Sequence, residues 1–528
     1  MKTKQLFKSH LFSLAALFSM ALTAVSCANE DIVQNGKTGD NGKGFATFVA
    51  DAPTQTRTSI DYATGDFYWE EGDKIYVKDD DGTMQVSNAV DAAHAHSASF
   101  KFKVPGKFGG SANYKVYYLG KNSSSNQVTI PTAQTQTTPN TTDHLGNSGD
   151  YGTATATGTL GGSVFSFQLE HQATYLVFQP YTSNAVLKNC YLTKIEVNSD
   201  DDIAETYTIN SSTGNLNGSA GSKQIVLTTK DPAAGSTNEK GFSFTNAASI
   251  STADKVYMLI KPGTHTLKVR YWVKDYDTNV EGTITKVLPS FNYDKNTYYD
   301  MTANLNVRDY DGTKYYMWDA QQNYWAGHEW NSAAPWQPTL GSQPVNQNYA
   351  KSNTDSRWYH AGGGSGRFDA TQSCATLPNA NELSWYAMYG DPRWDADELW
   401  TTMGHLYKGG MWFKKKSVLQ AEHNYDTEKS ADGTTDLRTT YKYYSNTDGS
   451  SINSGLPSAA DANKYFYLPA LGLYLSGQLN NVGYYGYYWS SSADPWSSNY
   501  AYNLDFNGGH VYVNDNIRNN GFRVDGFE

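Results

Sequence analysis

Cysteine is nearly missing from this chain: 528 residues carry three, at positions 27, 190 and 374. A disulfide-stapled scaffold is therefore excluded, since such folds need several cysteine pairs. Long apolar runs are missing too. After the segment Leu11 to Val25, no stretch approaches the ~20 apolar residues of a membrane-spanning helix. Long heptad patterns are absent. Positive charge is in deficit, with 41 Lys and Arg against 52 Asp and Glu for a net charge of −11, and no lysine follows Lys464. Bulk charge thus argues against nucleic acid or anionic lipid as a partner. What remains is rich in Tyr, Thr, Ser, Asn and Gly. That composition reads as a mainly β protein with polar loops, and this length predicts about three domains.

The N-terminus opens with Lys2, Lys4 and Lys8 before the apolar run, which ends in Ala24-Val25-Ser26-Cys27. Small residues ahead of a cysteine at that place resemble the bacterial lipobox. The resemblance implies a signal peptide over residues 1–26, with Cys27 lipidated and held at the outer membrane. Losing residues 1–26 removes three lysines and no acid, so the net charge moves from −11 to −14. Residues 27–43 are polar and rich in Gly and Asn, as expected of a flexible tether.

The last sixty residues have a contact-surface composition, in which Tyr supplies rigid area and Ser, Gly and Asn supply adaptable hydrogen bonding. Gly508-Gly509 signals a two-residue hairpin turn, because glycine takes positive φ freely. Closing the chain there pairs Asn507 with His510, Phe506 with Val511, Asp505 with Tyr512, Leu504 with Val513 and Asn503 with Asn514. Side chains alternate across a strand. Leu504, Phe506, Val511 and Val513 then face a core, and Asn503, Asp505, Asn507, His510, Tyr512 and Asn514 share the opposite, outward face. Tyr484, Tyr485, Tyr487, Asn499 and Tyr500 are expected to extend that face.

The segments L-P-A-L-G, Y-W-S-S-S, A-Y-N-L-D-F and G-F-R-V, with Y-Y-M-W-D at Tyr315 to Asp319 and A-T-L-P-N-A-N-E-L at Ala375 to Leu383, resemble a bacterial C-type-lectin-like fold. Formylglycine-generating-enzyme-like domains, Fibrobacter-type major paralogous domains and the variable proteins of diversity-generating retroelements share it. The resemblance covers residues 312–528 and implies a ligand-binding α+β domain. For the retroelement group it implies outward positions that vary on a fixed frame. Adenine-directed mutagenesis of an Asn codon reaches Tyr, Ser, Asp, His and Gly but not Trp. Each outward residue named above is Asn or belongs to that set, whereas Trp489 and Trp496 are expected to be frame.

Upstream, T-R-T at Thr56 to Thr58, W-x-x-G-D-x-I-x-V at Trp69 to Val77, Val128-Thr129-Ile130-Pro131 with Gln134, F-S-F-Q-L-E-H-Q-A-T-Y-L-V-F at Phe165 to Phe178, Y-M-L-I-K-P-G at Tyr257 to Gly263 and F-N-Y-D-K-N-T-Y-Y-D-M at Phe291 to Met301 resemble the fimbrillin family of pilus proteins. That implies two β-sandwich-like domains, residues 44–180 and 181–306, within a mainly β fold. The polar stretch Ser123 to Ser163 is expected to be a long surface loop with little structure. In that family a trypsin-like protease cuts after an Arg that Arg57 matches, leaving Thr58 first, and a neighbouring subunit's strand replaces the lost one by donor-strand exchange.

Other chemistry fares worse. Cysteine redox catalysis needs a reactive thiol pair or a thiolate-held metal, and residues 312–528 contain only Cys374. Calcium wants six to eight oxygens, and neither Glu-Pro-Asn nor Trp-Asn-Asp occurs. Asp79-Asp80-Asp81-Gly82 reads as a solvated turn and Lys414-Lys415-Lys416 as a wet loop or strand end. His405, His423 and His510 lack metal-ligand spacing, and Trp325, Trp330 and Trp336 read first as core. Cys190 and Cys374 read as two buried thiols. No cofactor, no metal and no catalysis are expected. The resemblances together imply a pilus tip adhesin with other pilus subunits and a surface glycan or protein as partners, because a globular domain in place of a donor strand would block stacking in a shaft. A free-standing glycan-binding lipoprotein of the outer membrane and a formylglycine-generating-type enzyme are the alternatives.

Overall fold

Strands dominate the computed structural model, as the composition implies. It describes residues 44–50, 59–60, 67–121, 126–184, 186–210, 213, 215–244, 254–276, 279–341, 343–447 and 452–527. Cys27, Arg57 and Thr58 lie outside them. Among the described residues no helix is long and apolar enough to cross a membrane.

Period-two alternation builds the first sheet. In the strand Phe45–Ala50, Ala46, Phe48 and Ala50 are buried while the alternate residues are not. This strand is not at an edge. It runs parallel to Val164–Phe167 on one side and antiparallel to Phe100–Pro105 on the other. Phe48 sits among Phe108, Tyr114 and Phe165, with ring centroids 5.2, 6.3 and 5.2 Å away. Trp69, Phe102 and Tyr118 continue the same core.

A second core lies between further sheets. The strand Thr174–Tyr181 has an almost unbroken buried run, because it pairs on both sides and is covered on both faces. Phe178 packs edge-on against Tyr271 of the strand Gly263–Lys274, centroids 6.0 Å apart. That contact joins a three-stranded sheet to an eleven-stranded one, layer on layer.

From residue 126 onward the stretch Ser123 to Ser163, expected to be a loose loop, is ordered. The strand Gln127–Ile130 pairs with Ala204–Ile209, Ala133–Thr135 pairs with Gln224–Thr228, and Gly152–Gly158 pairs with Asn113–Tyr118. Leu145 and Tyr151 are buried in the second core. Gly149 has φ +87°, and a Cβ there would collide with the Thr129 carbonyl oxygen. Backbone pairing and a few apolar anchors thus order a segment whose polar composition reads as solvated.

The eleven-stranded sheet continues past residue 312. Its strand Arg393–Thr402 meets Glu281–Tyr293 through the single pair Thr283–Glu398 and runs parallel to Arg308–Tyr310 over three pairs. Polar contacts fill this seam. Arg270 Nη2 lies 3.2 Å from Asp395 Oδ1, Thr285 Oγ1 donates to Glu398 at 2.7 Å, and Lys268 Nζ donates to the Pro457 carbonyl at 2.6 Å. The connecting residues Leu305 and Val307 are themselves buried.

The C-terminal region carries a six-stranded sheet in the order Tyr315–Tyr316, Phe522–Arg523, Gly486–Ala493, Tyr500–Asn507, His510–Ile517 and Tyr444–Asn446. The helix Ala380–Tyr389 packs on one face. Asn379 caps it by accepting from Glu382 N, and Glu382 answers by accepting from Asn379 N, a capping box. Leu383, Tyr386 and Ala387 join Leu504, Phe506, Val511 and Val513 in one core.

Candidate ligand-contact face

The hairpin closes with the expected register. Asn507 faces His510, Phe506 faces Val511, Asp505 faces Tyr512, Leu504 faces Val513 and Asn503 faces Asn514. Leu504, Phe506, Val511 and Val513 are fully buried. The turn forms for another reason than the one expected. Neither Gly508 nor Gly509 is among the positive-φ glycines. Instead Asn507 Oδ1 accepts from Gly509 N at 2.8 Å and from His510 N at 3.1 Å. Gly508 sits close to Trp394, and a Cβ there would lie 3.2 Å from the ring, which would have to give by a few tenths of an ångström.

The opposite face is only partly open. Asn503 is 0% exposed and Asp505 6%, so neither offers the free side chain that strand parity alone predicts. Asn503 stands opposite Trp489, which packs in a further core with Trp318, Cys374 and Phe522. Residues from the irregular segment between 318 and 377 cover that end of the sheet. Asn503 Nδ2 donates to Asp505 Oδ2 at 3.2 Å, and His510 Nε2 lies 3.4 Å from Asp505 Oδ1. Asp505 therefore orients His510 from below. Asn507 is occupied by the turn.

Beyond this covered end the face opens into a row of rings. Tyr487 and Tyr485 are near-parallel with centroids 5.8 Å apart, Tyr485 lies 5.8 Å from His510, and His510 stacks on Tyr512 at 4.2 Å. All four rings are half-buried, and Tyr487 also packs on Phe522 with centroids 5.0 Å apart. Burial and the neighbouring Asp505 push the Tyr487 hydroxyl up to about 12, so it stays a hydrogen-bond donor at neutral pH. Tyr484 projects furthest, 73% exposed. Asn499 is exposed and accepts from Tyr359 at 3.1 Å, while Tyr500 and Asn514 are half-buried. Four rings with few torsions, three of them on paired strands and Tyr485 just before one, make a pre-organised contact surface.

Trp489 is buried with its Nε1 donating to the Tyr316 carbonyl at 2.9 Å, whereas Trp496 is 65% exposed. Sequence reading also misses Tyr441, Tyr443 and Ser445. The short edge strand Tyr444–Asn446 sets Ser445 beside Tyr512, and the run Y-K-Y-Y at residues 441–444 was the available signal.

Other candidates are accounted for by structure. Asp79 accepts from Thr83 N and Gln85 Nε2, and Asp80 from Gly109 N, Gly110 N and Tyr114. Lys414 pairs with Glu422 and Lys416 with Glu382. His405, His423 and His510 stay apart in the sheets and turns that hold them, and among the described residues no three His, Cys, Asp or Glu side chains converge as metal ligands. Trp325 is core, and Trp330 and Trp336 pack against it half-buried. Cys190 and Cys374 are buried in different cores. Burial pushes the Cys374 thiol up, the opposite of what a thiolate nucleophile needs.

The sequence matches no protein-family model and no curated protein. Solved structures do align with it. A fimbrial protein from Bacteroides ovatus ATCC 8483 covers 91% of this chain and 98% of its own at 11% identity, TM-score 0.24. A fimbrial assembly protein from Parabacteroides distasonis ATCC 8503 covers 50% and 92% at 13% identity, TM-score 0.24. The fimbrial anchor protein Mfa2 from Porphyromonas gingivalis covers 46% and 82% at 12% identity, TM-score 0.23.

Proposed function

We propose that this chain is a surface-exposed pilus tip adhesin, not an enzyme, that holds a host or microbial surface ligand on the ring row of its C-terminal sheet. The observation that carries this reading is the contiguous series Tyr487, Tyr485, His510 and Tyr512, ring against ring along the hairpin-turn end of the sheet. Aromatic anchors dominate affinity at protein contact surfaces, and this row needs neither a metal nor a cofactor to present them. Tyr484 extends the row, Asn514 lies on its face, Asn507 shapes its rim, and Asn503 and Asp505 support it from beneath; Tyr500, which has the parity of Leu504, and Asn499 beyond it stand apart at the far end of the strand.

Assembly is proposed to use the N-terminal strand. Removing Phe45–Ala50 would open a slot between Val164–Phe167 and Phe100–Pro105, with unpaired backbone on both sides and the Phe48 site empty. A strand from another pilus subunit would satisfy both. Cys27 is the proposed lipid anchor to the outer membrane before assembly, and cleavage between Arg57 and Thr58 the proposed trigger. The Asn-reachable residues on the outer face fit diversification by a retroelement.

The test is binding of the purified chain to glycan and cell-surface arrays. Tyr512→Ala is expected to weaken the captured ligand by ~1–2 kcal/mol with an unchanged melting curve. A ligand whose complex touches none of the ring-row residues would overturn the reading.

A further inference from the structure

Trp496 is the second most exposed of the large aromatic side chains around this sheet, yet it is firmly held. Asp494 Oδ1 accepts from both Trp496 N and Ser497 N at 2.6 Å, which fixes the backbone under the indole. The ring leans on Tyr441, centroids 5.4 Å apart and planes 35° apart. Tyr441 in turn stacks on the buried Tyr502 at 6.3 Å and donates to Asp515 Oδ1 at 3.0 Å. The Tyr502 hydroxyl clamps the next residue, lying 3.2 Å from both Lys442 N and Lys442 O. Three rings therefore climb from the core to the surface, each supported by the one below. Beside them Tyr443 is 62% exposed, and Tyr441, Lys442, Tyr443 and Ser445 line a shallow depression of about 530 Å³.

A mobile surface ring needs no explanation; a rigid, propped and solvated indole does, because its apolar face gains by being covered. We propose that Trp496, Tyr441 and Tyr443 form a second contact site, separate from the ring row, and that it takes the pyranose ring of a neutral oligosaccharide. A sugar ring presents one flat C–H face that can lie on an indole, and hydroxyls around its rim. The groups around this platform match that rim. Asp515 accepts and the Tyr443 hydroxyl can donate or accept at the edge of the site. Its cation is already neutralised, with Lys442 Nζ 2.7 Å from Asp432 Oδ2. Asp494 and Asp515 disfavour an anionic ligand.

The whole chain, titrated calorimetrically with cellopentaose, maltopentaose, xylopentaose and mannopentaose, tests this. At least one is expected to bind, and Trp496→Ala and Tyr441→Ala are each expected to weaken it about tenfold or more. Trp496→Phe should restore most of the affinity. Tyr512→Ala should leave it within about twofold, since that ring belongs to the other site. Trp496→Ala should melt as the parent does, because the side chain is exposed. Binding of none of the four sugars, or equal binding by Trp496→Ala, overturns the proposal. So does capture through Trp496 of a peptide rather than a sugar. Loss of sugar binding in Tyr512→Ala alone also overturns it, and would assign the sugar to the ring row, leaving the adhesin reading intact.

Discussion

Leu504 and Tyr512 show how far one residue's parity carries. They are eight positions apart on paired strands and point to opposite sides. Leu504 is fully buried in one core with Phe506 and with Leu383, Tyr386 and Ala387 of the helix Ala380–Tyr389. Leu504→Ala is therefore expected to destabilise the fold by ~2–5 kcal/mol in urea titration, whatever it does to binding. Parity was legible because the apolar alternation agrees on both strands. What covers each face was not. Asn503 has the same parity as Tyr512, yet Trp489 and the Trp318 cluster bury it. That cover comes from a segment more than a hundred residues upstream with no periodic pattern to reveal it. Codon logic speaks to whether Trp496 varies and not to where it lies, and the residue is 65% exposed.

At the scale of the element, the strand Phe45–Ala50 holds the clearest prediction. It lies between two partners, and Phe48 fills a slot lined by aromatic rings. Phe48→Ala is expected to cost ~3–5 kcal/mol by thermal or denaturant unfolding. A chain lacking residues 44–50 should self-associate, and a synthetic peptide of that sequence should return it to a monomer in size-exclusion chromatography. A truncated chain that stays monomeric and as stable as the parent would contradict strand replacement. Arg57→Ala is expected to block pilus incorporation while leaving export normal, read by N-terminal sequencing of sheared pili, which should otherwise begin at Thr58. The strand itself was legible from F-A-T-F-V-A. The strands within residues 123–163 were not, because Thr- and Gly-rich strands such as Gly152–Gly158 are held by backbone pairing more than by apolar side chains.

Across the whole molecule, the seam near residue 398 should respond to pH. Glu398 is half-buried with its carboxylate turned into the seam, where it accepts from Thr285. Burial first, and Asp395 second, push its carboxyl up to about 7, while Arg270 acts in the other direction. A raised acid binds its proton more tightly folded than unfolded. Its contribution is thus complete below its ordinary value of 4.5 and is lost as pH rises through about 7. The melting temperature should fall over that window, and Glu398→Gln, which cannot ionise, should flatten the fall in a pH series of melting curves. An unchanged slope in that variant would rule out Glu398 as its source. This seam was invisible in sequence, since it joins groups more than a hundred residues apart that no local pattern connects.

Under the adhesin reading, the same seam would limit how neighbouring copies could share a target. Leu305 and Val307 are buried and the strands on either side are paired, so the C-terminal sheet has no slack leash on which to swivel. A molecule of this kind meets a crowded surface at one fixed bearing. Avidity between two copies then depends on whether their spacing matches that of the target, with little linker reach to forgive a mismatch. Selection for tighter capture in such a protein falls on geometry between copies as much as on the rings that touch the ligand.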